Sequence, residues 1–385
     1  MAGRRGMILT LDDFEALARR RLPRCLYAFA DNGSERGAST QANARAYGKW
    51  AFVPRALVDV STVNQEVSLF GATYSAPFGI APMGGCALYA HRADLALAEA
   101  AHRQRVPHVL SAASSVPLEQ VLERSPGSWY QGYVAGEEAV IVGLLDRLRS
   151  AGVQVLVLTV DVAVPSNRDR EKRLGFSVPV RPSLALALDG LLHPRWLAGT
   201  MARTLLTDGM PRMPNFTGVP AGRPIISAPL PAARNGRDRF TWEHVALVRR
   251  LWPGVLVLKG ILRAEDARRA VRAGVDGLIV SNHGGRQLDG AAAPLDVLPE
   301  ILQAAGELPV CLDGGIRRGT DALKALALGA RMVFVGRPML YAASVGGQAQ
   351  VEAAIEILRR EIACDLALLG CPDLGELEPA YLRPA

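Results

Sequence analysis

The stretch VDGLIVSNHGGRQLDG, residues 275–290, decides the fold. It opens with a short apolar run and passes at once into an imidazole, a glycine pair, a guanidinium and a carboxylate. A continuous apolar run of this length suits a parallel strand buried on both faces. Polar groups gathered at its C-terminal end suit the mouth of a barrel, where loops following the strands carry the chemistry. Burial alone has little use for His283 and Arg286 around Gly284 and Gly285; a site for an anionic molecule does.

Seven more runs of the same kind extend outward from it: PFGIAPMG (77–84), HVLSAA (108–113), SWYQGYV (128–134), VQVLVLTVD (153–161), GVLVLKG (254–260), PVCLDGG (309–315) and RMVFVGRP (331–338). Helical patterns lie between them. ADLALAEAAHRQ follows the first run. RAEDARRAVRAG follows GVLVLKG, with acids in its first turn and Gly274 as its stop. TDALKALALG follows PVCLDGG, with Thr320 expected as N-cap and Gly329 as stop. Eight alternations predict an α/β chain folded as a (β/α)8 TIM barrel; a doubly wound sheet is the other arrangement they allow. Ser111, Gln131, Tyr133, Thr159, Asp161, Lys259, Ser281, His283, Asp313 and Arg337 all fall at the C-terminal ends of these runs, so a barrel brings them to one mouth.

Residues 1–76 read as an N-terminal helical cap with a short hairpin, part of the same domain. Residues 77–370 read as the barrel and 371–385 as a C-terminal tail. A long insertion after strand four, 175–240, is rich in Pro and Arg. Its residues 176–239 hold eight Arg against three Asp, so five of the chain's seven net positive charges lie there. The insertion also holds LALALDGLLHPRWLAG, which suits a lid over the barrel mouth or a patch that touches a membrane.

The chain has 385 residues, of which 49% are hydrophobic, enough for a large core. A net charge of +7 suits anionic ligands, and no nucleic-acid motif is present. Five cysteines without a CxxC pair argue against a disulfide framework or a metal site and for a reducing compartment. MAGRRGMILTLDDF has no apolar core of a secretory signal, and no run is long enough to span a membrane. The expected location is cytoplasmic, with peripheral contact at the inner face of the cell membrane.

The chemistry follows from the mouth. A carboxylate at Asp161 can fix the tautomer of His283 and support a proton on it, which makes His283 a general base. Arg286 and Arg168 can grip a carboxylate through paired hydrogen bonds. LDGGIRRG (312–319) and VGRP (335–338) close strands seven and eight, the usual phosphate site of a barrel, with Gly314, Gly315 and Gly336 allowing close approach and Arg317 and Arg337 adding charge. Lys259 suits a cation beside a flavin, a Schiff-base lysine of a pyridoxal-phosphate enzyme, or a structural ion pair. No GxGxxG follows a strand, which disfavours nicotinamide.

LYAFADNG, GIAPMGG, LSAASS, WYQGYV, LTVDVAVPSNRDRE, VLKGIL, SNHGGRQLDG, CLDGGIRRGTDALKALALGA and VGRPMLY together resemble the FMN-dependent L-2-hydroxy-acid oxidase and dehydrogenase family, from about residue 8 to 382. The resemblance implies an FMN-bearing barrel that oxidises a 2-hydroxy acid, mandelate-like or lactate-like, to the 2-keto acid. The family's catalytic roles would fall on His283, Asp161, Tyr133 and Arg286. Substrate contacts would fall on Tyr27, Tyr133, Arg168, His283 and Arg286. Cofactor contacts would fall on Pro82, Met83, Gly84, Ser111, Gln131, Thr159, Lys259, Ser281, Asp313, Gly315, Arg317, Gly336 and Arg337. Electrons would pass to a quinone or to oxygen, and the family suggests a homotetramer. Gly84 in place of alanine tilts the reading toward a dehydrogenase, and the alanines of LSAASSV enlarge the pocket for an aryl or longer side chain. DGLLHPRW and GCPDLGELEPAYL are similar to the mandelate dehydrogenase branch, GGCALYAHR to the respiratory lactate dehydrogenases. A Lys259 Schiff-base enzyme and a flavin-dependent isomerase are the alternatives from other classes.

Overall fold

The computed structural model describes residues 7–134, 137–177, 179–218, 222–227 and 236–385. The first six residues and parts of the 175–240 insertion therefore lie outside the described residues. Helices α1 (Leu11–Arg21), α2 (Arg24–Asp31) and α3 (Ala38–Tyr47) open the chain. Strand β1 (Trp50–Phe52) and a hairpin of β2 (Val67–Leu69) and β3 (Ala72–Tyr74) follow.

Each of the eight apolar runs forms a strand. They are β4 (Phe78–Ile80), β5 (Val109–Ser111), β6 (Trp129–Gly132), β7 (Val155–Thr159), β8 (Val255–Ile261), β9 (Gly277–Val280), β10 (Val310–Asp313) and β11 (Met332–Val335). All are parallel neighbours in the order β4-β11-β10-β9-β8-β7-β6-β5. A parallel bridge between Ile80 and His108 joins the two ends of that order and rounds the sheet into a barrel. Continuous apolarity has its reason in burial: every residue of β4, β5, β6, β7, β9, β10 and β11 is buried. Val109, Trp129, Val157, Val257, Ile279, Met332 and Phe334 fill the interior, while alternate residues meet the surrounding helices.

The hairpin β2–β3 plugs the bottom of the barrel. Its two-residue turn puts Phe70 and Gly71 at φ +50° and +79°, which matches the twist of the flanking strands. Phe70 packs on Trp129 with ring centroids 5.4 Å apart. The last strand, β12 (Leu382–Pro384), pairs antiparallel with β1, so the tail is stitched to the N-terminal cap.

One expected cap moves. The helix after β10 spans Gly319–Ala327 with Arg318, not Thr320, as its N-cap. Asp321 accepts from the backbone N–H groups of Arg317 (2.9 Å) and Arg318 (3.0 Å), and Glu361 accepts from that of Gly319 at 2.7 Å. These carboxylates satisfy the first donors, and the helix begins ahead of Thr320.

The described insertion is fastened across one side of the mouth. Buried Asn215 accepts from the Leu118 N–H at 2.9 Å and donates to the Val116 carbonyl at 2.7 Å. Trp196 is buried and donates from Nε1 to the Leu88 carbonyl at 2.8 Å.

Candidate active site

A cavity of about 510 Å³ opens at the C-terminal ends of the barrel strands. Its walls include Pro82, Met83, Gly84, Gln131, Tyr133, Thr159, Arg168, Lys259, His283, Arg286, Asp313, Gly315, Arg317, Gly336 and Arg337, all named from the sequence. Residues separated by up to 255 positions meet because each ends its own strand.

Asp161 stands behind His283. Imidazole Nδ1 lies 3.0 Å from Asp161 Oδ1, so Nδ1 carries the proton in that bond and Nε2 is left as the basic nitrogen. Burial pushes the Asp161 carboxyl up, but the His283 ring and the Lys259 ammonium outweigh it and hold the group below the usual carboxylate range. Gly260, at φ +107°, makes room for this pair, since a Cβ there would meet Asp161 Cβ at 2.7 Å. His283 itself sits at φ +61°, a strained conformation for a residue with a side chain. The strain is held by its surroundings. The His283 N–H donates to Ser281 Oγ at 2.9 Å, and Asn282 and Asn43 exchange two bonds of 2.7 Å. The N-terminal cap thus supports the loop that carries the base.

Lys259 is buried on β8, with Nζ 2.8 Å from Ser281 Oγ and 2.9 Å from Asp313 Oδ2. Burial pulls its pKa down, yet Asp313 and Asp161 more than restore it, so it stays an ammonium above its usual range. Around this floor, Gln131 Nε2, Thr159 Oγ1 and Asp313 Oδ1 are buried with no hydrogen-bond partner among the described residues. Three orphan polar atoms beside one cavity call for a polar guest. At another end the cavity is lined by Gly314 and Gly315 (φ +106° and +88°) and by Gly336, the N-cap of the helix Arg337–Gly346. Arg317 and Arg337 line the same end. Burial and the neighbouring Arg286 and Arg317 lower the pKa of Arg337 to about 10. Cations crowded at a helix N-terminus suit a phosphate. The orphan donors and acceptors on one side and this anion site on the other fit FMN. Ser111 and Ser281, expected at its ring, instead lie one layer back. Ser111 Oγ donates to Gln131 Oε1 at 3.0 Å, and Ser281 holds Lys259 and the His283 loop.

Arg286 and Arg168 converge over the ring of Phe29, 5.0 and 5.6 Å from its centroid. Arg286 Nη1 donates to the carbonyls of Phe29 (2.6 Å), Ala30 (3.2 Å) and Asn32 (3.2 Å). Arg168 Nε donates to Ser166 Oγ at 3.1 Å, and that hydroxyl donates to the Arg286 carbonyl at 2.8 Å. Burial first, then Arg286, lowers the Arg168 pKa to about 10.

Tyr27, expected at the substrate, does not line the cavity. Its hydroxyl donates to Glu15 at 2.9 Å and its ring stacks on Tyr341. Residues two apart on a helix point to nearly opposite sides, so on α2 the cavity takes Phe29 and the outer face takes Tyr27. Tyr133 does line it, with His283 and Phe216 at centroid distances of 6.4 and 6.3 Å and the Arg237 guanidinium 4.5 Å above its ring. Sequence reasoning misses Phe29, Glu171 and Arg237. Only the i, i+3 spacing of Arg168 and Glu171 could have signalled any of them. Ala113 lines the pocket, and a Cβ on Gly84 would meet its Cβ at 2.6 Å, which is a packing reason for glycine there.

Comparison with known proteins gives one consistent result. The family model described as FMN-dependent dehydrogenase matches residues 18–384. An (S)-mandelate dehydrogenase of Pseudomonas putida is 38% identical over 98% of this chain and 94% of its own length. An L-lactate oxidase of Nostoc sp. is 37% identical, covering 97% of this chain and 98% of its own. The crystal structure of a monotopic membrane protein, (S)-mandelate dehydrogenase, superposes with a TM-score of 0.90 at 36% identity, covering 99% of this chain and 100% of that one.

Proposed function

The chain belongs to the FMN-dependent dehydrogenase family, and from that premise we propose that His283 is the base that prepares a mandelate-like 2-hydroxy acid for oxidation to the 2-keto acid. The protein is an FMN-dependent 2-hydroxy-acid dehydrogenase. When bound, FMN accepts the two electrons that leave the substrate's Cα.

The substrate's carboxylate pairs with Arg168 and Arg286 beside Phe29. Tyr133 steers the hydroxyl toward His283 Nε2, which takes a proton, while Asp161 stabilises the resulting imidazolium. Gln131 and Thr159 would bond the cofactor ring, Lys259 would offset negative charge there, and Gly315, Arg317, Gly336 and Arg337 would hold the phosphate. The observation that carries this reading is the Nδ1–Asp161 bond, which leaves one basic nitrogen on the cavity side of a ring fixed by its loop. Anaerobic mixing with mandelate, lactate and glycolate tests it. The flavin bleaches fastest with mandelate and regains colour slowly when air is admitted. Failure to bleach with any of the three would refute the function, and rapid recolouring in air would turn the dehydrogenase into an oxidase.

The acceptor is a quinone met at the inner face of the cell membrane. Leu184, Leu188, Leu191, Leu192, Leu205 and Leu206 of the insertion are exposed, with Leu206 at 87% and Leu184 at 84%. Six exposed leucines amid the insertion's arginines suit the headgroup region of an anionic leaflet. No described helix is long and apolar enough to cross a membrane. With Leu188 and Leu206 both changed to glutamate, sedimentation with anionic vesicles should drop at least about tenfold at unchanged flavin content. Equal sedimentation of the two proteins would remove the patch from membrane contact. The expected homotetramer is checked by light scattering of the flavin-loaded protein.

A further inference from the structure

Glu171 was not expected in the site, and no role described above uses it. It is buried, lines the cavity, and has Oε1 without a hydrogen-bond partner among the described residues. Its carboxylate lies between the two guanidiniums, with Oε2 3.8 Å from Arg168 Nη1 and Oε1 4.0 Å from Arg286 Nη2. Both distances exceed a hydrogen bond. The guanidiniums are positioned by other groups: three backbone carbonyls and the Phe29 ring for Arg286, Ser166 and the same ring for Arg168. Glu171 therefore acts on them through charge more than through geometry.

We infer that Glu171 is a resident anion that weakens the arginine pair's hold on carboxylates and so keeps release of the 2-keto acid fast. The inference rests on the reading that Arg168 and Arg286 receive the substrate's carboxylate. Substrate and product carry the same carboxylate. An interaction equally strong with both lowers KM without raising kcat, and it slows departure of the product. Two half-buried cations facing one incoming anion would overbind it. One resident carboxylate reduces the pair to a single net charge, matched to a monocarboxylate.

The competing role is that of a strut. Removing one member of a buried charge cluster usually costs stability and order, which would loosen ligand binding. The two roles predict opposite signs. Flavin absorbance of the holoenzyme is titrated with benzoylformate, pyruvate or glyoxylate, whichever corresponds to the fastest reductant. For Glu171→Gln the dissociation constant should fall about tenfold, with KM and kcat falling together. Glu171→Asp keeps the charge but draws it back one methylene, and should tighten binding less; should the glutamine variant not fold, the sign of this change decides. Unchanged or weaker binding would overturn the inference. Arg168→Met separates the two readings, because it should loosen the same ligand in the wild type and in Glu171→Gln. If Arg168→Met leaves affinity unaltered, the carboxylate binds elsewhere, and the reading beneath the inference is what falls.

Discussion

Replacing His283 with alanine leaves the protein yellow and stops substrate from bleaching it. The loop that carries His283 is held by Ser281, by Asn282 paired with Asn43, and by Ser34 of the N-terminal cap, which bonds the Gly285 backbone. None of these needs the imidazole, so the cavity and its flavin should persist. What disappears is a basic nitrogen with its protonated form stabilised by Asp161. General-base catalysis supplies about 10² to 10⁴ in rate, and a proton bound to oxygen or carbon of a hydroxy acid is held tightly enough to place this loss at the upper end. Asp161→Asn should also cost up to about 10⁴, since the base survives in a less certain tautomer without its counter-charge. Stopped-flow reduction at saturating substrate measures both. A His283→Ala rate within tenfold of wild type would remove His283 from proton transfer, whatever its distance to Asp161.

Legibility in the sequence follows the range of the forces involved. The barrel shows itself because a parallel strand is buried on both faces, and eight such runs leave eight local marks. The mouth is readable for the same reason: where a run ends, its last side chains must face the opening. Tyr27 is misplaced because the distinction between it and Phe29 is an angle on a helix: both are aromatics two positions apart, and only Phe29 lines the cavity. Ser111 and Ser281 sit at strand ends as expected, yet their short hydroxyls reach neighbouring side chains instead of the cavity. Glu171 is hidden in DREKR, which reads as solvated charge, and only the approach of Arg286 from 115 positions away gives it a role. Thr320 loses its cap to carboxylates on Asp321 and Glu361, and Glu361 lies outside any local window around Thr320. The hairpin at 67–74 is legible as a hairpin, and only the folded barrel shows Phe70 packed on Trp129.

Lys259→Met should reduce the rate of flavin bleaching by about 10³ and loosen the flavin as well. The ammonium is buried between Asp313, Ser281 and the charge of Asp161, and it remains protonated despite burial because those carboxylates repay the lost water. Methionine fills the volume and removes the charge. Two consequences then separate. Asp313 is left as a buried carboxylate without its cation, a defect worth about 3–5 kcal/mol and felt as lost stability and flavin content. The second consequence belongs to the chemistry, because the floor of the cavity no longer offers a positive charge where electrons arrive, and the midpoint potential of the bound flavin should move down. The double variant Lys259→Met with Asp313→Asn distinguishes them, since it removes the orphaned carboxylate. Thermal stability should recover in the double variant, whereas bleaching at saturating substrate should stay slow and the potential low. Recovery of the rate together with the stability would reduce Lys259 to a structural ion pair, and the catalytic reading of the cavity floor would then pass to Gln131 and Thr159 alone.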